Sequence, residues 1–275
     1  MKSVLSFLLI VLSASLRAQT LPLQAKRLAI THVTVIDATG APARPDTTVV
    51  IRSGHILDIG ATSEIKLAKD CQIVDGTGKF LIPGLWDSHV HLSEFGEISL
   101  ALFVANGITS VRQMGSGPQD PREIIQWRKE IATGQRIGPR IFTMGWMLNT
   151  LDHADMGHIE VPSAAEGRRA VDFVKENGAD FVKVHNYVPR EAYFAIAEEA
   201  RKQKIILTGH VPFTLAVPEL VLSGQKGIEH LGQIPIACSS REEELRSRVL
   251  RSFTKTGRFG RSLACGFAGE RRSGR

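Results

Sequence analysis

Two histidines one residue apart, His89 and His91 in GLWDSHVHL (84–92), are the first residues whose types and spacing could do chemistry. In a strand, residues i and i+2 face the same way, so two imidazoles can grip one ion, and Asp87 projects with them as a partner behind the ligands. An HxH pair also occurs in ordinary strands, where the histidines only pack. Lys183, in DFVKVHN, shares a face with Phe181 and His185, while Val182 and Val184 take the other. A lysine inside a parallel strand carries a desolvation penalty that depresses its pKa and makes it a nucleophile, able to add carbon dioxide and become an anionic carbamate. The alternative is a stem that snorkels out of the strand end. His210 closes KIILTGH and His230 closes GIEH. Either alone reads as structural, but HxH, Lys, His and His on successive strands is hard to explain as packing. Imidazole with carboxylate-like oxygen suits Zn and similar ions.

Other residues are weaker candidates for substrate contact. Arg112, in SVRQMG, can meet a carboxylate. His153 and His158, in LDHADMGH, fall in the loop after the third strand of the series, where a solvated loop is an equal reading. His185 and Tyr187 lie just beyond Lys183. His32 and His55 read as structural. Gly115 and Gly117 form no phosphate loop, since no Lys-Ser/Thr follows.

The elements that must position these side chains change character along the chain. Residues 26–80 read as a small all-β unit: LAITHVTVIDATG, a hairpin in TTVVIRSGHILDIG turning at Ser53-Gly54, and QIVDGTGKFLIPG with its own turn. From residue 81 to about 240, short apolar strands alternate with amphipathic helices. The strands are GLWDSHVHL, ITSVRQMG, RIFTMGWML, DFVKVHN, KIILTGHV and GIEHLG. Repeated strand–helix units predict an α/β fold with a parallel sheet, doubly wound or closed as a (β/α)8 barrel, of which six strands can be counted. In REEELRSRVLRSF a helix is possible; the rest of 241–275 shows neither period.

Charge separates the same regions. The 275-residue chain has a net charge of +6, all of it within residues 241–275, so the preceding 240 residues are neutral and give no reason to expect a nucleic-acid partner. Residues 1–18 carry Lys2, an apolar stretch from Val4 to Leu12 and small residues, the pattern of a signal peptide for export. That stretch is too short to span a bilayer, and no other run is long enough to be a transmembrane helix. The three cysteines, Cys71, Cys238 and Cys265, form no disulfide framework.

The motifs FLIPGLWDSHVHL, NGITSVRQMG, GADFVKVHN, LTGHV and GIEHLG resemble the amidohydrolase superfamily, in its imidazolonepropionase-like and prolidase-like branch, over roughly residues 26–240. The resemblance implies a (β/α)8 barrel with a small β-sandwich built from both chain ends. It also implies two divalent metals, by default zinc. His89 and His91 would bind the first, Lys183 as a carbamate would bridge them, and His210 and His230 would bind the second. The implied activity is hydrolysis of a carbon–nitrogen bond in a small cyclic amide or dipeptide-like substrate by a hydroxide held between the metals. The family also has a general-base aspartate at the end of its eighth strand. No aspartate follows Asp180 here, so no catalytic residue of that kind can be named. The expectation is therefore a six-strand, impaired version, with a frameshifted or truncated end. The alternatives are a non-catalytic metal-binding remnant or an unstable product.

Overall fold

The protein's structure, a computed structural model, describes residues 27–115, 117, 119–150 and 157–255. The chain divides at Pro83–Gly84 into two compact units. The signal-peptide pattern, His153, Cys265 and residues 256–275 lie outside the described residues.

The first unit is one mixed five-stranded sheet: β1 (Leu28–Val35), β2 (Arg44–Arg52), β3 (His55–Ala61), β4 (Gln72–Asp75) and β5 (Phe80–Leu81). β2 and β3 form the expected hairpin, closing at Arg52↔His55. Ser53 and Gly54 both take positive φ (51° and 76°), the twist that suits a two-residue hairpin turn. The third predicted strand is two short ones, β4 and β5, each pairing parallel with a different part of β1. Val33, Val35 and Val49 form this unit's core. His32 pairs with Asp46 and His55 with the Ser53 carbonyl, both within the unit.

The second unit alternates strands and helices in the order β6 (Leu85–Val90), α1 (Leu92–Phe95), α2 (Ile98–Ala105), β7 (Ile108–Gln113), α3 (Pro121–Ala132), β8 (Arg140–Thr143), β9 (Met147–Asn149) and β10 (His158–Glu160). It continues with α4 (Ala164–Glu176), β11 (Phe181–Val184), α5 (Arg190–Lys202), β12 (Ile206–Gly209), α6 (Val217–Ser223), β13 (Gly227–Ile228), α7 (Ile234–Ala237) and α8 (Glu242–Lys255). The strands make two parallel sheets, β6-β7-β8 and β10-β9-β11-β12-β13. The α/β class with parallel pairing is as expected. Helix α8 falls where a helix was possible in the basic end.

RIFTMGWML is not one strand. Its first half, β8, pairs with β7, and its second half, β9, pairs with β11. The break is Gly145, at φ 66°, whose N–H is held by the Thr143 hydroxyl at 3.1 Å. Asp180 completes it: its carboxylate accepts the Thr143 N–H and its own N–H donates to the Thr143 carbonyl, both at 2.8 Å. A side chain thus ends β8 where a strand partner would have continued it. His158, expected in a loop, instead opens β10, which pairs parallel with β9.

The helices cover one face of the larger sheet. α4 buries Gly167, Ala170, Val171 and Val174, the spacing of one helical face, and α5 packs on it with Ala192, Tyr193 and Ile196. The resulting core includes Leu148, Val182, Val184 and Leu207 from the strands. Alternate residues face the other way: Met147 and Phe181 join Met114 and Met144 in a separate cluster. No helix among the described residues is long and apolar enough to cross a membrane.

Candidate metal centre

His89 is the penultimate residue of β6, and His91 lies just past that strand as the residue before α1. Their Nε2 atoms face each other at 3.3 Å. Each ring is held from behind by a carboxylate on Nδ1, His89 by Glu229 at 2.9 Å and His91 by Glu94 at 2.7 Å. A carboxylate can only accept, so both Nδ1 atoms carry the proton, and in the neutral rings both Nε2 atoms present lone pairs. A proton or a metal cation between the two Nε2 atoms relieves the repulsion of their lone pairs. Tetrahedral Zn–N bonds of about 2.0–2.1 Å place neighbouring nitrogens about 3.4 Å apart.

Glu229 was not singled out in the sequence, and it is the hub of the site. It also accepts from Arg112 at 2.7 Å and from the Thr208 hydroxyl at 3.0 Å. Burial alone would raise its pKa, but the His89 hydrogen bond, the Arg112 charge and Thr208 outweigh it and hold the carboxyl at about 2. Arg112, expected to meet a substrate carboxylate, commits one nitrogen to Glu229 and Nε to the Ser88 carbonyl. Asp87, expected behind the ligands, accepts the His89 backbone N–H instead.

Lys183 is 2% exposed, on the Phe181 face of β11 as its alternation predicts. Its Nζ donates to the Met114 carbonyl, and burial, opposed by Glu229 and aided by Arg112, draws its pKa down to about 8. The amine is thus partly neutral near physiological pH. His210 follows β12, with Nδ1 on the Asn186 Oδ1 at 2.9 Å. Burial, then the charges of His185 and Lys183, push it down to about 3, so the ring is neutral. Its Nε2 is buried with no hydrogen-bond partner. His230, held at φ 62°, lies edge-on to His89 and His210, with ring centres 4.4 and 5.0 Å away. Its pKa is lowered by burial and by His89 and Lys183. His185 stacks on His210 at 4.2 Å, with Tyr187 at 5.8 Å beyond it. The five ligand candidates therefore sit together with His185 at the C-terminal ends of the parallel strands.

Two glycines make the close approaches possible. A Cβ on Gly115 would lie 2.4 Å from the His91 ring, and one on Gly209, at φ 131°, would lie 2.2 Å from the Val184 carbonyl. Gln113, fully buried, ties the end of β7 to α1 by accepting the Leu92 N–H at 2.7 Å. A cavity of about 370 Å³ opens beside His89 and His91, with Glu94 and Phe103 in its wall.

Among the described residues, no three His, Cys, Asp or Glu side chains converge as a ready cation site. The facing lone pairs of His89 and His91 and the bare Nε2 of His210 nevertheless fit a divalent ion.

No protein-family model matches the chain. A dihydroorotase from Thermus aquaticus is 37% identical over 112 residues, 38% of this chain and 24% of that protein. An adenine deaminase from Methanococcoides burtonii is 39% identical over 67 residues, 23% of this chain and 11% of that protein. Among solved structures, one assigned as a prolidase from Bifidobacterium longum superposes with a TM-score of 0.61 at 25% identity, over 72% of this chain and 52% of that one. These similarities support membership of the amidohydrolase superfamily. The chain spans at most a quarter of the length of these curated relatives and about half of that solved structure.

Proposed function

We propose that this chain binds divalent metal, by default two zinc ions, and that its site is built to hydrolyse a carbon–nitrogen bond in a small amide. The observation that carries the reading is the pair of lone-pair-bearing Nε2 atoms, 3.3 Å apart, on rings locked by Glu229 and Glu94. His89 and His91 would hold one ion, His210 and His230 the other, and Lys183 would bridge them. Its neutral amine adds carbon dioxide and releases a proton, giving an anionic carbamate that supplies the carboxylate-like ligand the histidines lack. Divalent ions in such a site polarise a carbonyl and lower the pKa of water. His185 and Tyr187 would contact the substrate. In the same reading the two parallel sheets, of three and five strands, are part of a (β/α)8 barrel, the first unit is its part of a composite sandwich, and residues 1–18 direct export.

A second reading is a metal-binding chain with little turnover. Zinc-loaded chain assayed against dipeptides, N-acyl amino acids and cyclic amides separates the two. Zinc-dependent hydrolysis lost in His89→Ala supports the hydrolase, and stoichiometric zinc without hydrolysis supports the binding protein. No retained zinc contradicts both.

A further inference from the structure

The carboxamide of Asn149 stands out from the other buried polar groups. Asn149 is 1% exposed, and neither Oδ1 nor Nδ2 has a hydrogen-bond partner. The neighbouring backbone is satisfied: the Asn149 carbonyl accepts from Val161 N–H and the Leu148 carbonyl from His185 N–H, both at 2.9 Å. Other buried polar side chains in this unit, such as Gln113, Thr208 and Gln225, are hydrogen-bonded. Leaving an amide buried and unsatisfied destabilises a fold.

Its position is in the site. Asn149 ends β9, and alternation puts it on the face of Met147, opposite Leu148, which packs in the helix-side core. Met147 is in register with Lys183, so Asn149 lies beside His185, one step beyond Lys183. Another buried atom without a partner at this end of the sheet is Nε2 of His210, and both are shut from bulk water alike.

We propose that Asn149 is a substrate-binding residue that selects a cyclic amide or ureide. Its Nδ2 and Oδ1 lie side by side, one donor and one acceptor, and both are uncommitted. They match a ligand with a C=O and an N–H on one edge, which a cis amide in a ring presents. A trans peptide points the two in opposite directions, and an amide to proline has no N–H. The inference rests on the metal-dependent hydrolase reading above.

The test uses the zinc-loaded 275-residue chain, with pyroglutamate, N-methylpyroglutamate and glycylproline as probes in calorimetric titrations. Wild type is expected to bind pyroglutamate about tenfold more tightly than the N-methyl form. That difference should vanish in Asn149→Leu. The same variant should melt no lower than wild type, because it removes an unsatisfied amide at similar volume. An unchanged preference in Asn149→Leu, tighter binding of glycylproline by wild type, or a lowered melting temperature of the variant would overturn the proposal. So would failure of pyroglutamate to bind a chain that retains zinc, and that result leaves the metal reading standing. Zinc analysis of the same samples shows separately whether the metal reading itself has failed.

Discussion

Glu229 is bonded to side chains from three strands, His89, Arg112 and Thr208, and through His89 it decides which nitrogen would face an ion in the proposed site. Replacing it with glutamine keeps the shape but lets Nδ1 of His89 accept rather than donate. Glu229→Gln should therefore weaken zinc binding by about 10–100-fold, the usual effect of losing a carboxylate behind a ligating histidine. Equilibrium titration with a competing chelator measures it, and unchanged affinity would remove Glu229 from the account. Lys183→Met tests a different residue. It replaces a buried amine with an apolar chain of similar length, so the melting temperature should hold or rise, while zinc content falls by about half if the carbamate bridges two ions. At this scale the sequence was partly legible. The faces of Lys183 and of HxH follow from period-two alternation alone. Glu229, Gln113 and Asn149 did not stand out, because their importance lies in partners, or missing partners, on strands far away in the chain. Arg112 drew attention as a cation, but its carboxylate partner is 117 residues further on.

The elements do their positioning through close backbone approaches. β12 comes so near β11 at Gly209 that only a residue without Cβ fits, and His210 follows directly. Gly209→Ala combines a clash with the Val184 carbonyl and an unfavourable φ, and should destabilise the fold by about 1–3 kcal/mol in urea unfolding. Gly115→Ala acts more locally. Its methyl would displace the His91 ring, so zinc affinity should drop with a smaller change in stability, a split that a purely structural glycine would not show. Strand and helix order was readable because patterns of period 2 and 3.6 are local. The division of RIFTMGWML between two sheets was not, because it depends on Asp180, 37 residues away, capping Thr143. A glycine inside an apolar run does not by itself reveal which sheet each half will join.

On the scale of the whole molecule, the α/β order and the change of grammar near residue 81 were legible in the sequence, and the chain divides at Pro83–Gly84. Zinc held by residues in or just beyond β6, β11, β12 and β13 would tie the two parallel sheets of the second unit together. Free zinc at about 100 times its Kd should stabilise the folded chain by about 2.7 kcal/mol, raising its melting temperature by about 5–10 °C, and a chelator should reverse the shift. The measurement that tests the central claim most directly is zinc content per chain after exhaustive dialysis, for wild type and for the His89→Ala/His91→Ala/His210→Ala variant. Between one and two zinc ions retained by wild type, and none by a variant that remains folded, is the result this account predicts. Equal zinc in both, or none in wild type, would contradict it.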